Sequence, residues 1–247
     1  MDHDTSSITL SVIIPCFNES DNLVALVAEV AQALAATRFE IIVVDDCSTD
    51  DTAARLQRLK LDCPNGLRVV RHQINSGQSA ALCTGCDVAR GHWIATLDGD
   101  GQNDPADLPH LLKTATELAA THAHFIVCGH RWQRRDTWLR RFSSRVANGV
   151  RSKVLRDATP DTGCGLKIFP RQTFLELPRF NHMHRFLPAL VQRTGGVSKS
   201  LPVNHRPRVH GVSKYGVGNR LWVGIVDLFG VSWLIMRRFK AADGKEV

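Results

Sequence analysis

Thr96-Leu97-Asp98-Gly99-Asp100-Gly101-Gln102 decides how this chain is read. The residues just before it, His92-Trp93-Ile94-Ala95, continue through Thr96 and Leu97 as a β-prone run that stops at two aspartates separated by one glycine. A short apolar run bounded by turn residues reads as a buried strand. Both carboxylates then stand at the carboxyl end of that strand, where open α/β sheets hold their ligands. Carboxylates that close repel unless a cation lies between them or one keeps its proton. A hard divalent ion held by one or two carboxylates and completed by substrate phosphates meets that need. A polar turn before the next helix gives the same letters, because Asp104-Pro105 is a good helix start. The flanking sequence has to choose.

Upstream, strands and helices alternate. Ile8 to Phe17 is β-rich and ends at Pro15-Cys16-Phe17-Asn18-Glu19-Ser20, where Ser20 can cap a helix with Leu23, Leu26, Val27, Val30 and Leu34 on one face. Phe39 to Val44 is a second buried strand ending in Asp45-Asp46-Cys47-Ser48, and Ser48 or Thr49 can cap a helix through Leu59. Leu67 to Arg71 is a third strand, followed by Asn75-Ser76-Gly77-Gln78-Ser79 and a small-residue helix to Arg90. The Asp98 strand is fourth, Pro105 to Ala120 is helical, and Phe125 to Cys128 makes a fifth strand leading to Gly129-His130-Arg131. Repeated strand–helix units predict a parallel sheet with helices on both faces, joined by right-handed crossovers. The polar clusters then gather along one sheet edge.

Composition agrees. The 247 residues and 43% apolar content suit one α/β domain with a modest extension, and exclude a disordered or fibrous chain. A net charge of +7 favours an anionic partner: phosphates, nucleic acid or a membrane surface. Seven cysteines without framework spacing read as reduced thiols in a cytosolic setting. Cys83-Thr84-Gly85-Cys86 falls inside a predicted helix and has no second pair to make a metal site. The polar, acidic start from Met1 to Ser7 is not a signal peptide, and no stretch has the apolar length to span a bilayer.

After Arg131 the character changes. Arg134, Arg135, Arg140, Arg141, Arg145, Arg151 and Arg156 crowd a helical stretch in which Asp136 and Asp157 are the acids. A charge run is commonly a solvated helix face, but one sign dominating favours an anion-facing surface. Asp161 to Phe169 reads as a turn into a strand, and His182, His184 and Arg185 precede an apolar helix. Pro202 to Lys214 is a loop carrying Arg206, Arg208 and Lys214. Leu221 to Met236 is apolar, is interrupted by Asp227, and leads to Arg237-Arg238-Phe239-Lys240. With Trp222 and Trp233 it suits a helix lying in the headgroup region, and its amphipathicity suits a core-packing helix equally well.

Taken in order, these motifs resemble the family 2 glycosyltransferases of GT-A fold, and within them the dolichyl- and polyprenyl-phosphate branch typified by dolichol-phosphate mannosyltransferase. The similarity covers about Leu10 to Gly216. It rests on Val12 to Glu19, Val43 to Asp50, Asn75-x-Gly77, Ala81, Gly85, Ala89-Arg90-Gly91 and Asp98-x-Asp100-x-Gln102. The branch is carried by Arg140 to Arg145, Asn148, Asp161-x-x-x-Gly165 and Arg208-x-x-Gly211-x-Ser213-Lys214. The resemblance implies a glycosyltransferase domain over residues 1–216 and an amphipathic, membrane-associating helix with a basic tail over 217–247.

It also implies roles. Pro15, Phe17, Glu19 and Asp46 would hold the nucleoside of a GDP- or UDP-sugar. Asp98 would reach the ribose or diphosphate, and Asp100 and Gln102 would ligate Mg²⁺ or Mn²⁺. Arg131, Arg140, Ser144, Arg208 and Lys214 would bind diphosphate and acceptor phosphate. Asp98, Asp100 and Arg208 would be the catalytic set.

The acceptor class follows from charge. A hydroxyl acceptor needs a general base, whereas a polyprenyl monophosphate is largely ionised already and needs cations. Between Asp157 and Lys214 the chain lacks a Glu-Asp base pair and supplies arginines. The Gln-x-x-Arg-Trp pattern of processive synthases is also absent. Asp161 is the candidate base for the alternative, a glycan or lipid hydroxyl acceptor. His184-Arg185 replaces the aromatic–acidic pair frequent in the family at this place, which leaves the sugar open. The expected enzyme is an inverting transferase, peripheral on the cytoplasmic face of a membrane. A nucleic-acid-binding domain is disfavoured because the arginines lack interleaved aromatics and a recognised motif.

Overall fold

The computed structural model describes residues 8–62, 66–131, 149, 151, 154–155, 157, 159–208 and 217–237. Arg140, Ser144 and Lys214 lie outside the described residues. Seven strands form one sheet: β1 (Leu10–Cys16), β2 (Phe39–Asp45), β3 (Leu67–Arg71), β4 (Trp93–Thr96), β5 (Phe125–Arg131), β6 (Lys167–Pro170) and β7 (Val197–Val203), in the order β3-β2-β1-β4-β6-β5-β7. The helices are α1 (Ser20–Ala33), α2 (Thr52–Asp62), α3 (Gln78–Val88), α4 (Leu108–Ala119), α5 (Arg171–Leu175), α6 (Leu187–Arg193) and α7 (Val217–Met236).

The sheet is mostly parallel, as expected, with one departure. β6 inserts antiparallel between β4 and β5, pairing Ala95 with Ile168 and Val127 with Ile168. The right-handed βαβ rule applies to parallel neighbours, and β6 runs antiparallel to both of its own. β7 was missed from the sequence: its Val197, Lys199, Leu201 and Val203 alternate with polar residues and with Pro202. Proline weakens a strand signal but is tolerated at a sheet edge, and β7 is one.

Alternation along the strands divides the core. Val12, Ile14, Ile41 and Val43 meet Leu23, Leu26 and Val30 of α1 and Leu108 and Leu111 of α4. Ile13, Ile42 and Val44 face the other way, onto Leu82 and Cys86 of α3 and Leu190 of α6. Each such side chain, fully buried, contributes about 1.5–3 kcal/mol. Gly85 brings α3 against β1, since a Cβ there would lie 2.4 Å from Ile13 Cγ2. The capping differs in detail from expectation. Ser20 is already the first helical residue of α1, and Asp50, rather than Ser48 or Thr49, accepts from the Thr52 amide at the start of α2. Asp104 does cap its turn, accepting from Ala106 N at 3.0 Å before Pro105. Cys83 and Cys86 lie within α3, as predicted, and among the described residues no disulfide joins the cysteines.

Candidate active site

The carboxyl ends of β1, β2 and β4 converge. Beyond β1, Phe17 to Glu19 turns sharply, with Asn18 at φ +53°. This turn is fastened to the segment after β2, because Asn18 N donates to Ser48 Oγ at 2.9 Å and Glu19 N to Thr52 Oγ1 at 3.1 Å. Beyond β4, the main chain of Asp98 donates to Asn103 Oδ1, and Gln102 N donates to Asp100 Oδ1 at 3.1 Å. The two acidic groups are thereby held in one tight loop.

The sequence after β7 completes the wall. Asn103 bridges to His205, Arg206 N donates to the Gln102 carbonyl at 2.9 Å, and Arg206 itself pairs with Glu29 at 2.6 Å and Asp104 at 2.7 Å. Two residues on, Arg208 Nη2 reaches Asp100 Oδ2 at 2.6 Å and stands 3.9 Å from Glu19 Oε1. A cleft of about 410 Å³ results, with Pro15, Phe17, Glu19 and Asp46 on one side and Asp98, Asp100, Gln102 and Arg208 on the other. Eight residues singled out in the sequence thus share one cleft.

Three of the expected site residues are engaged by other groups of the protein. Asp46 is buried and engaged: it accepts from Ser76 N at 2.8 Å, Gly77 N at 2.7 Å and His72 Nδ1 at 2.8 Å. It shapes the Asn75–Gly77 loop, and His72, itself tied to Thr84 Oγ1, was missed because a lone histidine beyond a strand carries no periodic signal. Arg131 and Asp161, expected as phosphate ligand and candidate base, face each other. Nε and Nη2 form a two-pronged pair at 2.7 and 2.8 Å, and the Arg131 amide adds a third bond. Such a fork is among the stronger side-chain interactions, and it holds the carboxylate that a base would need to present.

Asp98 is a strongly perturbed acid. Burial, and then the charge of Asp100, push its carboxyl up to about 6, against the pull of Lys167, Arg131 and the Gln78 amide, which donates to Oδ1 at 2.8 Å. Gly165, anchored where its carbonyl accepts from Thr96 Oγ1, leaves room for this side chain. Gln78 was quoted only as part of a loop; its role depends on tertiary approach. The oxygen donors of Asp100, Asp98 and Gln102 suit a hard divalent cation. Among the described residues no cluster of three His, Cys, Asp or Glu side chains could hold a metal alone. An ion here fits the pattern in which substrate phosphates complete the shell.

Comparison with known proteins agrees with this geometry. Residues 11–177 match the model of glycosyl transferase family 2. The chain belongs to glycosyl transferase family 2. It is 38% identical over 243 residues to dodecaprenyl-phosphate galacturonate synthase of Rhizobium johnstonii, covering 96% of this chain and 70% of that protein. It is 31% identical over 210 residues to undecaprenyl-phosphate 4-deoxy-4-formamido-L-arabinose transferase of Edwardsiella ictaluri, covering 84% of this chain and 63% of the relative. The chain therefore spans about two thirds of the length of these relatives. A mannosyltransferase from Pyrobaculum calidifontis, solved with GDP-Man and Mn²⁺, superposes with a TM-score of 0.65 at 20% identity, over 97% of this chain and 67% of that one. As a family 2 member the chain is a glycosyltransferase, and its α/β architecture is the GT-A fold.

Proposed function

We propose that this glycosyltransferase moves a sugar from a nucleotide-sugar to the phosphate of a polyprenyl phosphate. The observation that carries this is the fate of the acids on the acceptor side. Between Asp157 and Lys214 the chain has three acidic residues, Asp157, Asp161 and Glu176. Asp157 is gripped by Arg151 at 2.6 Å, Asp161 by Arg131, and Glu176 accepts from Gln172 on the exposed side of α5. A hydroxyl nucleophile would lack its base there, whereas a phosphate oxygen needs none. The relatives named for dodecaprenyl- and undecaprenyl-phosphate support the same acceptor.

The transfer is a direct displacement. An acceptor phosphate oxygen bonds to the anomeric carbon, the bond from that carbon to the diphosphate breaks, the nucleoside diphosphate leaves, and the configuration inverts. Pro15, Phe17 and Glu19 hold the nucleoside, while Arg208, freed from Asp100, together with Arg140, Ser144 and Lys214, positions phosphates. Mg²⁺ or Mn²⁺, held by Asp100 and Gln102 beside Asp98, would stabilise charge on the departing diphosphate.

The enzyme works as a peripheral protein on the cytoplasmic face of a membrane. No helix among the described residues is long and apolar enough to cross one. Val231 of α7 is buried with Leu228 and Ile235 packed inward, while Val226, Phe229, Trp233 and Met236 recur on the opposite face and are exposed. That stripe suits the acyl–headgroup boundary. Free thiols suit a reducing compartment. A panel of labelled GDP- and UDP-sugars, incubated with undecaprenyl phosphate in detergent, tests the proposal. Label entering the organic phase and lost with EDTA supports it; donor binding with no lipid label across the panel defeats it.

A further inference from the structure

Past Asp98 the cleft opens into a second, larger cavity of about 720 Å³, with Pro15, Asn75, Gln78 and Asp98 shared between the two. Asp100, Gln102 and Arg208 line the first space and not the second. A donor whose diphosphate lies at Asp100 therefore has this cavity for its sugar. Two neighbouring residues in the first turn of α3 set its polar wall. Gln78 donates to Asp98 Oδ1 at 2.8 Å, and Ser79 Oγ stands 2.8 Å from Nδ1 of His184, 105 residues further along the chain. The acid at the end of β4 and this imidazole are thus held from one point. His184 is also set by its backbone. It lies in a 3₁₀ turn, Met183–Arg185, that follows His182 in the left-handed region at φ +66°. A non-glycine residue with positive φ is uncommon and persists where the surroundings enforce it. Here Met183 is fully buried, with its sulfur 3.7 Å from Cys83 Sγ of α3, and Phe186 after the turn is buried too.

The imidazole lines the cavity. Burial, and then the charges of Arg185, Lys167 and His182, push its pKa down to about 3. It is therefore neutral at physiological pH and carries one ring proton. Ser79 is buried, and among the described residues its hydroxyl has His184 as its one hydrogen-bond partner. Buried hydroxyls are satisfied by an acceptor, so Ser79 donates to Nδ1 and the ring proton lies on Nε2. Nε2–H points away from Ser79, and among the described residues no hydrogen bond engages it. It is the donor left for a ligand. The pair is not a nucleophile and its base, because an imidazole that takes a proton only near pH 3 is too weak to activate a hydroxyl at neutral pH.

We propose that His184 determines specificity for the donor sugar, its Nε2–H donating to a ring hydroxyl oxygen, and that Ser79 is the positioning residue that fixes it. This rests on the transferase reading given above. A neutral, immobilised N–H matches a hydroxyl oxygen without bringing charge to the sugar. A sugar lacking that oxygen leaves the N–H unpaired in the cavity wall, which is the kind of mismatch that binding sites reject most strongly.

Titration calorimetry with Mg²⁺ present tests it, comparing the GDP- or UDP-sugar that binds most tightly with the same nucleoside diphosphate lacking its sugar. His184→Ala is expected to weaken the nucleotide-sugar about fivefold, the effect of one hydrogen bond, and to leave the nucleoside diphosphate unchanged. His184→Gln, whose amide N–H can reach the place of Nε2, is expected to recover part of that loss. Ser79→Ala is expected to show the same sugar-selective loss to a smaller degree. Monodeoxy forms of the donor sugar should reveal one ring position whose oxygen matters to wild type and no longer matters to His184→Ala. Thermal melting checks folding; if His184→Ala does not fold, Ser79→Ala with the deoxy series carries the test. Equal weakening of nucleotide-sugar and nucleoside diphosphate overturns the inference. So does an unchanged nucleotide-sugar affinity with a raised KM for undecaprenyl phosphate, which would give His184 to the acceptor. Neither result touches the polyprenyl-phosphate reading, which lipid labelling decides separately. Sugar-selective loss in a protein that labels no lipid upholds the inference and defeats the acceptor reading, and no donor binding by wild type defeats both.

Discussion

Gly165 stands so close to Asp98 that a Cβ on the glycine would fall 2.3 Å from Asp98 Oδ2 and 2.4 Å from its Cγ. The contact ties β6, the antiparallel insertion, to the acid at the end of β4. Gly165→Ala forces Asp98 out of its place beside Gln78. The expected outcome is a folded protein, destabilised by about 1–3 kcal/mol, with kcat/KM reduced by about a hundredfold, in the range of other misplaced catalytic groups. Thermal melting and the lipid-transfer assay separate the two effects; wild-type activity in the variant would show that Asp98 need not sit there.

Arg208 and a divalent cation compete for one carboxylate. With Nη2 2.6 Å from Asp100 Oδ2, the guanidinium already neutralises the acid expected to ligate metal. Arg208→Ala should therefore tighten Mn²⁺ binding in the absence of donor, by about three- to tenfold, while transfer is lost because the phosphates lose their guanidinium. Titration of Mn²⁺ by electron paramagnetic resonance reads the first effect independently of activity. Weaker Mn²⁺ binding in the variant would contradict the competition.

Asp46 is expected to matter through the loop it organises. Asp46→Ala removes the acceptor for the Ser76 and Gly77 amides and for His72. Charged hydrogen bonds of this kind contribute about 1.5–3 kcal/mol each before coupling, so the unfolding midpoint in urea should fall clearly. Donor KM should rise more than kcat falls, since Gln78 follows the loop directly and lines the cleft. An unchanged midpoint would remove the structural role.

Opposed titrations give a pH signature. Asp98 is raised from 3.8 to about 6, so the folded state binds the extra proton and this group's contribution falls as pH rises between those values. His184 is lowered from 6.5 to about 3, so the unfolded state binds the extra proton and its contribution rises with pH across that window. The two cancel in part between about pH 4 and 6, each limited to about 1.4 kcal/mol per pH unit. Relative to wild type, Asp98→Asn should make stability rise more steeply with pH there, and His184→Gln should make it rise less or fall. Urea unfolding at pH 4.5, 5.5 and 6.5 measures both slopes; slopes of the reverse sign would contradict the environments described.

Membrane attachment through α7 predicts that Phe229→Ser with Trp233→Ser reduces sedimentation with anionic vesicles severalfold and leaves transfer to detergent-dispersed acceptor intact. Both residues are exposed on the outer face of the helix, and nothing in the cleft depends on them. Unchanged vesicle binding would assign that stripe elsewhere.

Much of this site was legible in the sequence because it lies where strands end. The acids after β1, β2 and β4 each follow an apolar run, and a parallel sheet brings such ends together whatever the intervening helices. The partnerships were not legible. That Asp46 would serve its own loop, that Arg131 would close on Asp161, and that Arg208 would rest on Asp100 depend on side-chain approach across 30 to 108 residues of sequence. β7 was hidden by Pro202, and the direction of β6 by a long connection that no local pattern describes. Lys167 read as an ordinary residue of a strand; only its burial sets it apart.

The most direct measurement sets undecaprenyl phosphate beside undecaprenol as acceptors for the same labelled nucleotide-sugar panel, with wild-type protein and with Asp100→Ala. Label should enter the phosphate lipid alone, as an acid-labile glycosyl phosphate, and should disappear in Asp100→Ala. Label entering undecaprenol as readily would show that the enzyme activates a hydroxyl, and would contradict an acceptor site built from arginines with its acids already paired.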